Sequence, residues 1–82
     1  MKPADHHARV PLTALPPRAS AVVDSIEDGI DPAQQEQLVA YGLAPGRPLR
    51  MQQQQPMTLV LIDEVELALE AGVARRIWVR KA

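Results

Sequence analysis

The sequence contains no cysteine and no phenylalanine, and its only aromatic side chains are those of Tyr41 and Trp78. Without cysteine there are no disulfides, no thiolate metal sites and no cysteine nucleophile. Two aromatic residues are too few for the stacking surfaces of single-strand nucleic-acid binders or for the aromatic grooves that hold proline-rich peptides. The hydrophobic core must therefore be built from aliphatic side chains.

The net charge of the chain is small, and its apolar stretches are short. Nine Lys and Arg residues against ten Asp and Glu residues give a formal net charge of −1, which provides no general attraction for nucleic acid or acidic lipid. No stretch approaches the ~20 apolar residues of a membrane span, and the proline-rich start shows no secretory signal. With 82 residues the chain has room for one domain, and we expect a cytoplasmic protein.

A short helix is the clearest local prediction. Asp31 is a good N-cap, and Pro32 suits the first helical position. Polar residues follow, and Leu38 and Val39 are expected to form the buried face. About ten residues of helix are marginal alone in water, so this helix must pack on something.

The end of that helix is also predicted. Gly42 fits the left-handed position that follows a helix, and Leu43 then falls where a Schellman motif packs it against Leu38. Residues 44–47 place Pro45 and Gly46 as a type II turn requires. The chain should therefore reverse direction directly after the helix.

Strands are predicted at 19–26, at 49–52, at 58–62 and at 77–79, from β-branched content and alternation. Residues 63–76 fit two interpretations. Val65, Leu69 and Val73 have helical spacing, yet Val65, Leu67 and Leu69 also alternate with polar residues as in a strand. Gly72 would weaken a long helix and favours a strand followed by a single turn.

This order of signals resembles the ferrous-iron transport protein A (FeoA) family. The resembling segments are Pro11-Leu12, Leu15-Pro16-Pro17, Ala21–Ile26, Leu38–Gly46, Leu49, Leu59–Leu61, Leu67–Leu69, Ala74, Ile77 and Val79. The most specific of them is the helix end at Leu38–Gly46. Two departures affect loops: Met57, not glycine, follows Pro56, and Asp63-Glu64 replaces a glycine-containing hairpin turn.

The resemblance implies a mainly β fold, a small SH3-like β-barrel with one short α-helix inserted between strands, in which Val65–Leu69 is a strand. Residues 1–10 lack periodicity and are expected to be a flexible N-terminal tail, so the barrel domain would span residues 11–82. We expect a closed sheet, because closure removes exposed strand edges.

The resemblance also implies a function. The chain would be a small cytosolic accessory protein of bacterial ferrous iron uptake that contacts the cytosolic G-protein domain of a FeoB-type iron transporter, without nucleic acid and without entering the membrane. Its association with iron would be indirect, with no cofactor of its own, and self-association stays open. The alternative is a freestanding regulatory module related to the C-terminal SH3-like domain of metal-dependent transcriptional repressors.

No catalytic or metal-binding set is predicted. His6 and His7 lie beside Asp5 in the tail, where a metal geometry is not preset. The acidic residues Asp24, Glu27, Asp28 and Asp31 lack EF-hand spacing and suit solvated loops. The hydroxyls of Thr13, Ser20, Ser25 and Thr58 have no neighbouring base, so we expect no enzyme.

Four residues are predicted to contact a partner protein: Tyr41, Leu43, Pro45 and Trp78. If Ile77 and Val79 point inward, the pleat directs Trp78 outward, and exposed aromatic side chains commonly anchor interfaces. The other hypothesis is that the helix packs over Trp78. The basic end formed by Arg75, Arg76, Arg80 and Lys81 is too narrow for nucleic acid and is expected to be a solvated strand end.

Overall fold

The computed structural model describes residues 8–82, in which one six-stranded antiparallel sheet carries a single full helix and a one-turn helix. The strands are β1 Arg9–Pro11, β2 Ser20–Ile26, β3 Pro48–Gln53, β4 Thr58–Ile62, β5 Val65–Leu69 and β6 Ile77–Lys81, and the helices are α1 Pro32–Ala40 and α2 Ala71–Ala74. A 3-10 turn at Leu12–Ala14 follows β1. The predicted strands and the helix between β2 and β3 are confirmed.

The sheet has the order β1-β6-β2-β3-β4-β5 and therefore has two edges, β1 and β5. Within residues 8–82, no hydrogen bonds pair β1 with β5, so the strands do not form the closed barrel that was expected. Strand β1 has only three residues and ends at Pro11, which has no N–H to donate. Since the 3-10 turn then directs the chain away, β1 is too short to bridge to β5.

The start of the chain also differs from the prediction. Arg9 and Val10 pair with Arg80 and Val79 of β6, so the sheet already begins inside the segment expected to be tail. His6, His7 and Asp5 lie outside the described residues.

The core is aliphatic, as the lack of aromatic residues requires. Alternate residues of the central strands face inward, and Val23, Met51, Val60 and Ile77 are at most 1% exposed. Leu12 and Leu15 of the proline-flanked segment close one end, and the side chain of Gln54 donates to both of their carbonyl oxygens at 3.1 and 2.8 Å. A single hydrophobic cluster thus connects the sheet, the 3-10 turn and α1.

Helix α1 begins and ends as predicted. The Asp31 carboxylate accepts the backbone N–H groups of Ala33 and Gln34 at 3.1 and 3.2 Å. At the other end, Leu43 N–H donates to Leu38 O and Gly42 N–H donates to Val39 O, both at 2.9 Å. These two bonds define a Schellman motif, and Leu38 and Leu43 are both buried within it.

Val39 does not share the buried face of α1 with Leu38. Its side chain is 46% exposed, whereas that of Leu38 is 7% exposed. Consecutive helical residues point about 100° apart, so a short helix on a sheet can bury one of them without the other. The prediction of Val39 as a core residue is therefore wrong.

The turn after α1 is attached to the sheet. Arg47 N–H donates to Ala44 O at 3.0 Å, and Gly46 has the positive φ of +89° that a type II turn needs. Gly46 N–H donates to Val23 O at 2.8 Å, and Val23 N–H donates to Arg47 O at 2.9 Å. These bonds fix the end of α1 against β2.

The ambiguous segment 63–76 is a strand followed by a turn, as the resemblance implies. Strand β5 pairs with β4 in an unbroken register, and α2 occupies only four residues after it. The turn between β4 and β5 has two residues, Asp63 and Glu64, with φ of 49° and 71°. Both positive values are what a two-residue hairpin turn with right-handed twist demands, even without glycine.

Candidate interaction surfaces

Trp78 lies on the outer face of β6, between Ile77 and Val79, which are fully buried. Its indole N–H donates to the carboxylate of Glu27, and the guanidinium carbon of Arg9 lies 5.1 Å from the ring centroid. This distance is that of a cation–π contact. Arg9 of β1 thus lies over the ring, whereas one of the two sequence hypotheses placed the helix there.

Asp24 joins strands β1, β2 and β6 on the same outer face. Its carboxylate lies 3.3 Å from Nη1 of Arg9 and 2.8 Å from Nη2 of Arg80, and it accepts the Ser25 hydroxyl at 3.1 Å. The register of β2 against β6 shifts between Val23 and Ser25, so Asp24 is the additional residue of a β-bulge. The acidic residue that the sequence placed in a solvated loop therefore holds the short strand β1 to the sheet.

The pKa of Asp24 lies below its ordinary value of 3.8. Partial burial raises this pKa, but the Ser25 hydrogen bond and the two arginines together lower it by more. A carboxylate with a lowered folded-state pKa stabilises the fold above its unfolded-state pKa, and this contribution disappears as the pH falls through the folded-state value.

We therefore expect Asp24→Asn to lower the urea midpoint near neutral pH, with a difference from wild type that shrinks as the pH falls below about 4. Urea unfolding at several pH values between roughly 7 and 2.5 measures this. Asp28→Asn is the matched control, because Asp28 is exposed and makes no ion pair within residues 8–82. If the urea midpoint of Asp24→Asn differed from that of wild type by the same amount at every pH, the charge of Asp24 would not be what stabilises the fold.

Tyr41 ends α1 beside β5, away from Trp78 in the strand order. Its side chain is 50% exposed and lines a groove of about 220 Å³ between the helix and this edge strand. The other lining residues are Gln34, Gln37, Leu38, Leu67, Ala68, Leu69 and Glu70. The lining is therefore mixed in polarity, and a half-exposed tyrosine beside it can bury a large area on binding while ordering few rotatable bonds.

The four predicted partner-binding residues lie on different elements of the fold. In the sheet order, three strands separate β6, which carries Trp78, from β5, beside which Tyr41 lies. Pro45 is exposed in the turn after α1, but Leu43 is 0% exposed. Leu43 therefore belongs to the core, because the Schellman motif turns its side chain back onto Leu38.

Three exposed apolar residues were not predicted as surface candidates: Val39, Met57 and Val65, at 46%, 45% and 40% exposed. Val65 is on the same face of β5 as Leu67 and Leu69, which face the core. It lies at the hairpin end of an edge strand, however, where the core no longer covers it. Alternation in the sequence shows which face a residue takes and not how far the core extends along that face.

Within residues 8–82, no three His, Cys, Asp or Glu side chains come together in a way that could hold a metal ion. No helix among these residues has the length and apolar character needed to cross a membrane. The hydroxyls of Ser25 and Thr58 donate to Asp24 and to the side-chain oxygen of Gln54, each at 3.1 Å. Two of the four hydroxyls considered for catalysis are thus engaged in structural hydrogen bonds.

The sequence model of the FeoA domain matches residues 10–81. A search of curated protein sequences returned no significant match. Among solved structures, the iron uptake regulatory protein FeoA is 30% identical with a TM-score of 0.78, and the alignment covers 92% of this chain and all of that one.

FeoA of Stenotrophomonas maltophilia, crystallised with zinc and described as a procaryotic SH3 domain protein, is 31% identical with a TM-score of 0.74, over 85% of this chain and 88% of that one. T. acidophilum IdeR shares the fold as well: it is 26% identical with a TM-score of 0.78, but the 92% of this chain that aligns corresponds to only 35% of that chain. The open six-stranded sheet with its inserted helix is therefore an SH3-like fold.

Proposed function

The chain belongs to the FeoA domain family, and we propose on this basis that it is a small cytosolic accessory protein of bacterial ferrous iron uptake. It acts by binding the cytosolic G-protein domain of the membrane iron transporter, and it does no bond chemistry of its own. The observation that carries this proposal is the family match, which extends over nearly the whole of the described domain.

Two further observations support the proposal. The S. maltophilia protein, similar over 85% of this chain, has been put forward as a ferrous iron transport activating factor. The Ser25 hydroxyl, which donates to the Asp24 carboxylate, belongs to the ion-pair cluster that holds β1 to the sheet. The groove beside Tyr41 supplies the half-exposed aromatic side chain that protein interfaces favour.

Binding to the transporter can be tested directly. The tagged chain should retain the purified cytosolic domain of the ferrous transporter from the same organism, and a clean deletion of its gene should change ferrous uptake by whole cells. Normal uptake in the deletion strain, together with no retention of the domain, would rule out this function.

Tyr41→Ala should weaken this interaction with the fold intact. Truncating an interface tyrosine commonly costs about 1–2 kcal/mol, so the Kd should rise roughly 5- to 30-fold. Met57→Ala is the matched control, since Met57 is exposed to a similar degree but lies in the loop before β4. Equal affinities of the two variants, measured by titration calorimetry, would remove Tyr41 from the interface.

The second candidate is a regulatory module that serves a DNA-binding partner, related to the SH3-like domain of metal-dependent repressors. The alignment with IdeR favours it, because 92% of this chain aligns with 35% of that longer chain, so the fold also occurs as part of a larger protein. The described residues contain no helix-turn-helix, so this role requires a second protein. Calorimetry with ferrous iron separates the candidates: tight stoichiometric binding favours the regulatory module, and its absence favours the adaptor.

A further inference from the structure

Strand β5 exposes one edge of the sheet. Its other edge pairs with β4 from Ile62↔Val65 to Thr58↔Leu69, and within residues 8–82 nothing pairs with the outer side. Because Ile62 and Val65 flank a two-residue turn, Val65 and Leu67 exchange hydrogen bonds with β4. The N–H and C=O groups of Glu66 and Ala68 therefore point away from the sheet and are available to an added strand.

This edge has few of the features that usually prevent pairing with another chain. The opposite edge strand, β1, has three residues and ends in a proline. Strand β5 has five residues, contains neither proline nor lysine, and keeps an unbroken register with β4. Short length, proline, bulges and charged side chains are the common protections of edge strands; of these β5 has only the negative charge of Glu66 and of its neighbours Glu64 and Glu70, which does not oppose a strand of positive charge.

The two faces of β5 differ in character. Glu66 points to one face of β5, while Glu64 lies in the turn before the strand and Glu70 directly follows it; all three are exposed and form no ion pair within the described residues. Leu67 and Leu69 point to the other face, toward the groove that Tyr41 lines. An added strand would thus meet the Glu66 carboxylate on one side and, on the other, a groove of mixed polarity in which Leu67 and Tyr41 supply the apolar contacts.

A second copy of this chain does not fit this edge well. Antiparallel pairing of β5 with β5 brings Glu64, Glu66 and Glu70 of the two copies near one another in half of the registers, and in the other half it places Glu66 opposite an apolar residue, with no arginine or lysine in either strand. Like charges on neighbouring strands are destabilising. The same carboxylates attract lysine or arginine. The charge of this edge therefore favours a basic partner strand over a second copy of β5.

We propose that the outer edge of β5 binds an extended basic segment of a partner protein as a seventh strand. Lysine or arginine at alternate positions of that segment faces Glu64, Glu66 and Glu70, and the apolar residues between them enter the groove beside Tyr41. Backbone hydrogen bonds to Glu66 and Ala68 supply affinity, and the alternation of charge and apolar residues supplies specificity. This inference goes beyond the proposed function, because it does not depend on which protein carries the segment.

The probe is a synthetic peptide in which lysine alternates with valine, added to the isotope-labelled chain. We expect amide shifts at Glu66–Leu69 and at Tyr41, slower hydrogen exchange at Glu66 and Ala68, and weaker binding at higher salt. Two control peptides should fail to bind: one with glutamate in place of lysine, and one with lysine retained but alternate backbone nitrogens methylated, which blocks strand pairing.

Two variants of the protein test the same contacts. Ala68→Pro removes an N–H that points away from β4, so the hydrogen bonds between β4 and β5 remain in place. This variant should weaken binding of the lysine peptide about tenfold or more. Glu66→Lys should weaken it roughly fivefold or more, whereas Asp28→Lys, with the same change of net charge outside β5 and α1, should have a much smaller effect. If Ala68→Pro fails to fold, the methylated peptide still tests the same hydrogen bonds.

Three results would each overturn the proposal: equal binding of the lysine and glutamate peptides, amide shifts that map to strands other than β5, or full binding of the methylated peptide. Concentration-dependent dimerisation that Ala68→Pro abolishes would show that the occupant is a second copy. Transporter binding is measured separately by co-purification, so failure of the peptide and failure of the proposed function are distinguishable.

Discussion

Leu38→Ala is expected to lower the free energy of unfolding by about 2–5 kcal/mol, the range observed when a buried leucine leaves a cavity. Leu38 is 7% exposed and is the one buried residue within α1. Its carbonyl oxygen also accepts Leu43 N–H in the Schellman motif, although that backbone bond survives the substitution. The loss should appear as a lower urea midpoint, measured by circular dichroism, with an unchanged slope.

Val39→Ala is the matched control, since Val39 is the next residue of the same helix and is 46% exposed. Its effect should stay within roughly 0.5 kcal/mol, because surface substitutions cost little and alanine favours a helix over valine. Equal losses for the two variants would mean that α1 buries both residues, as the sequence alone suggested.

Helix α1 was predictable in its bounds because the signals that begin and end it are local. Asp31 caps the N-terminus through its own neighbours, and Gly42 permits the Schellman bonds within six residues of chain. Its buried face was predicted only in part. Leu38 and Val39 are equally apolar, and their exposures differ because of where the sheet lies, which no local pattern contains.

The segment 63–76 shows a second limit of the same kind. Its residues satisfy the helical and the strand period together, so only the pairing with β4 decides between them. The family resemblance supplied that answer, and residue periodicity did not. The open edge was missed for a related reason, since closure depends on whether β1 is long enough to reach β5, a property of two distant segments.

The exposure of the candidate surface residues was predicted only in part. Tyr41 and Pro45 are exposed as expected, but Leu43 is fully buried and Trp78 lies beneath Arg9 on another part of the sheet. Aromatic side chains attract attention in a sequence because they are rare, whereas the free edge of β5 consists of backbone groups that every residue has. Such a surface becomes visible only when the strand order is known.

Gly42→Ala should cost about 2–3 kcal/mol, more than the backbone effect alone. Gly42 has φ of +101°, which alanine adopts at a cost of about 1–2 kcal/mol. A β-carbon built there would also lie 3.0 Å from Cγ2 of Ile62, a fully packed residue of β4, so the side chain must shift. The strain acts at the point where α1 is attached to the sheet.

The other glycines separate these two contributions. Gly46 has φ of +89° but no neighbour within 4 Å of a built β-carbon, so Gly46→Ala should show the backbone cost of about 1–2 kcal/mol by itself. Gly72 lies in α2 with open space around it and no positive φ, so Gly72→Ala should stabilise the fold by up to about 1 kcal/mol. Unfolding midpoints should therefore fall in the order Gly72→Ala, wild type, Gly46→Ala, Gly42→Ala. A Gly42→Ala midpoint equal to that of wild type would show that α1 does not end in the left-handed turn on which its position against β2 and β4 depends.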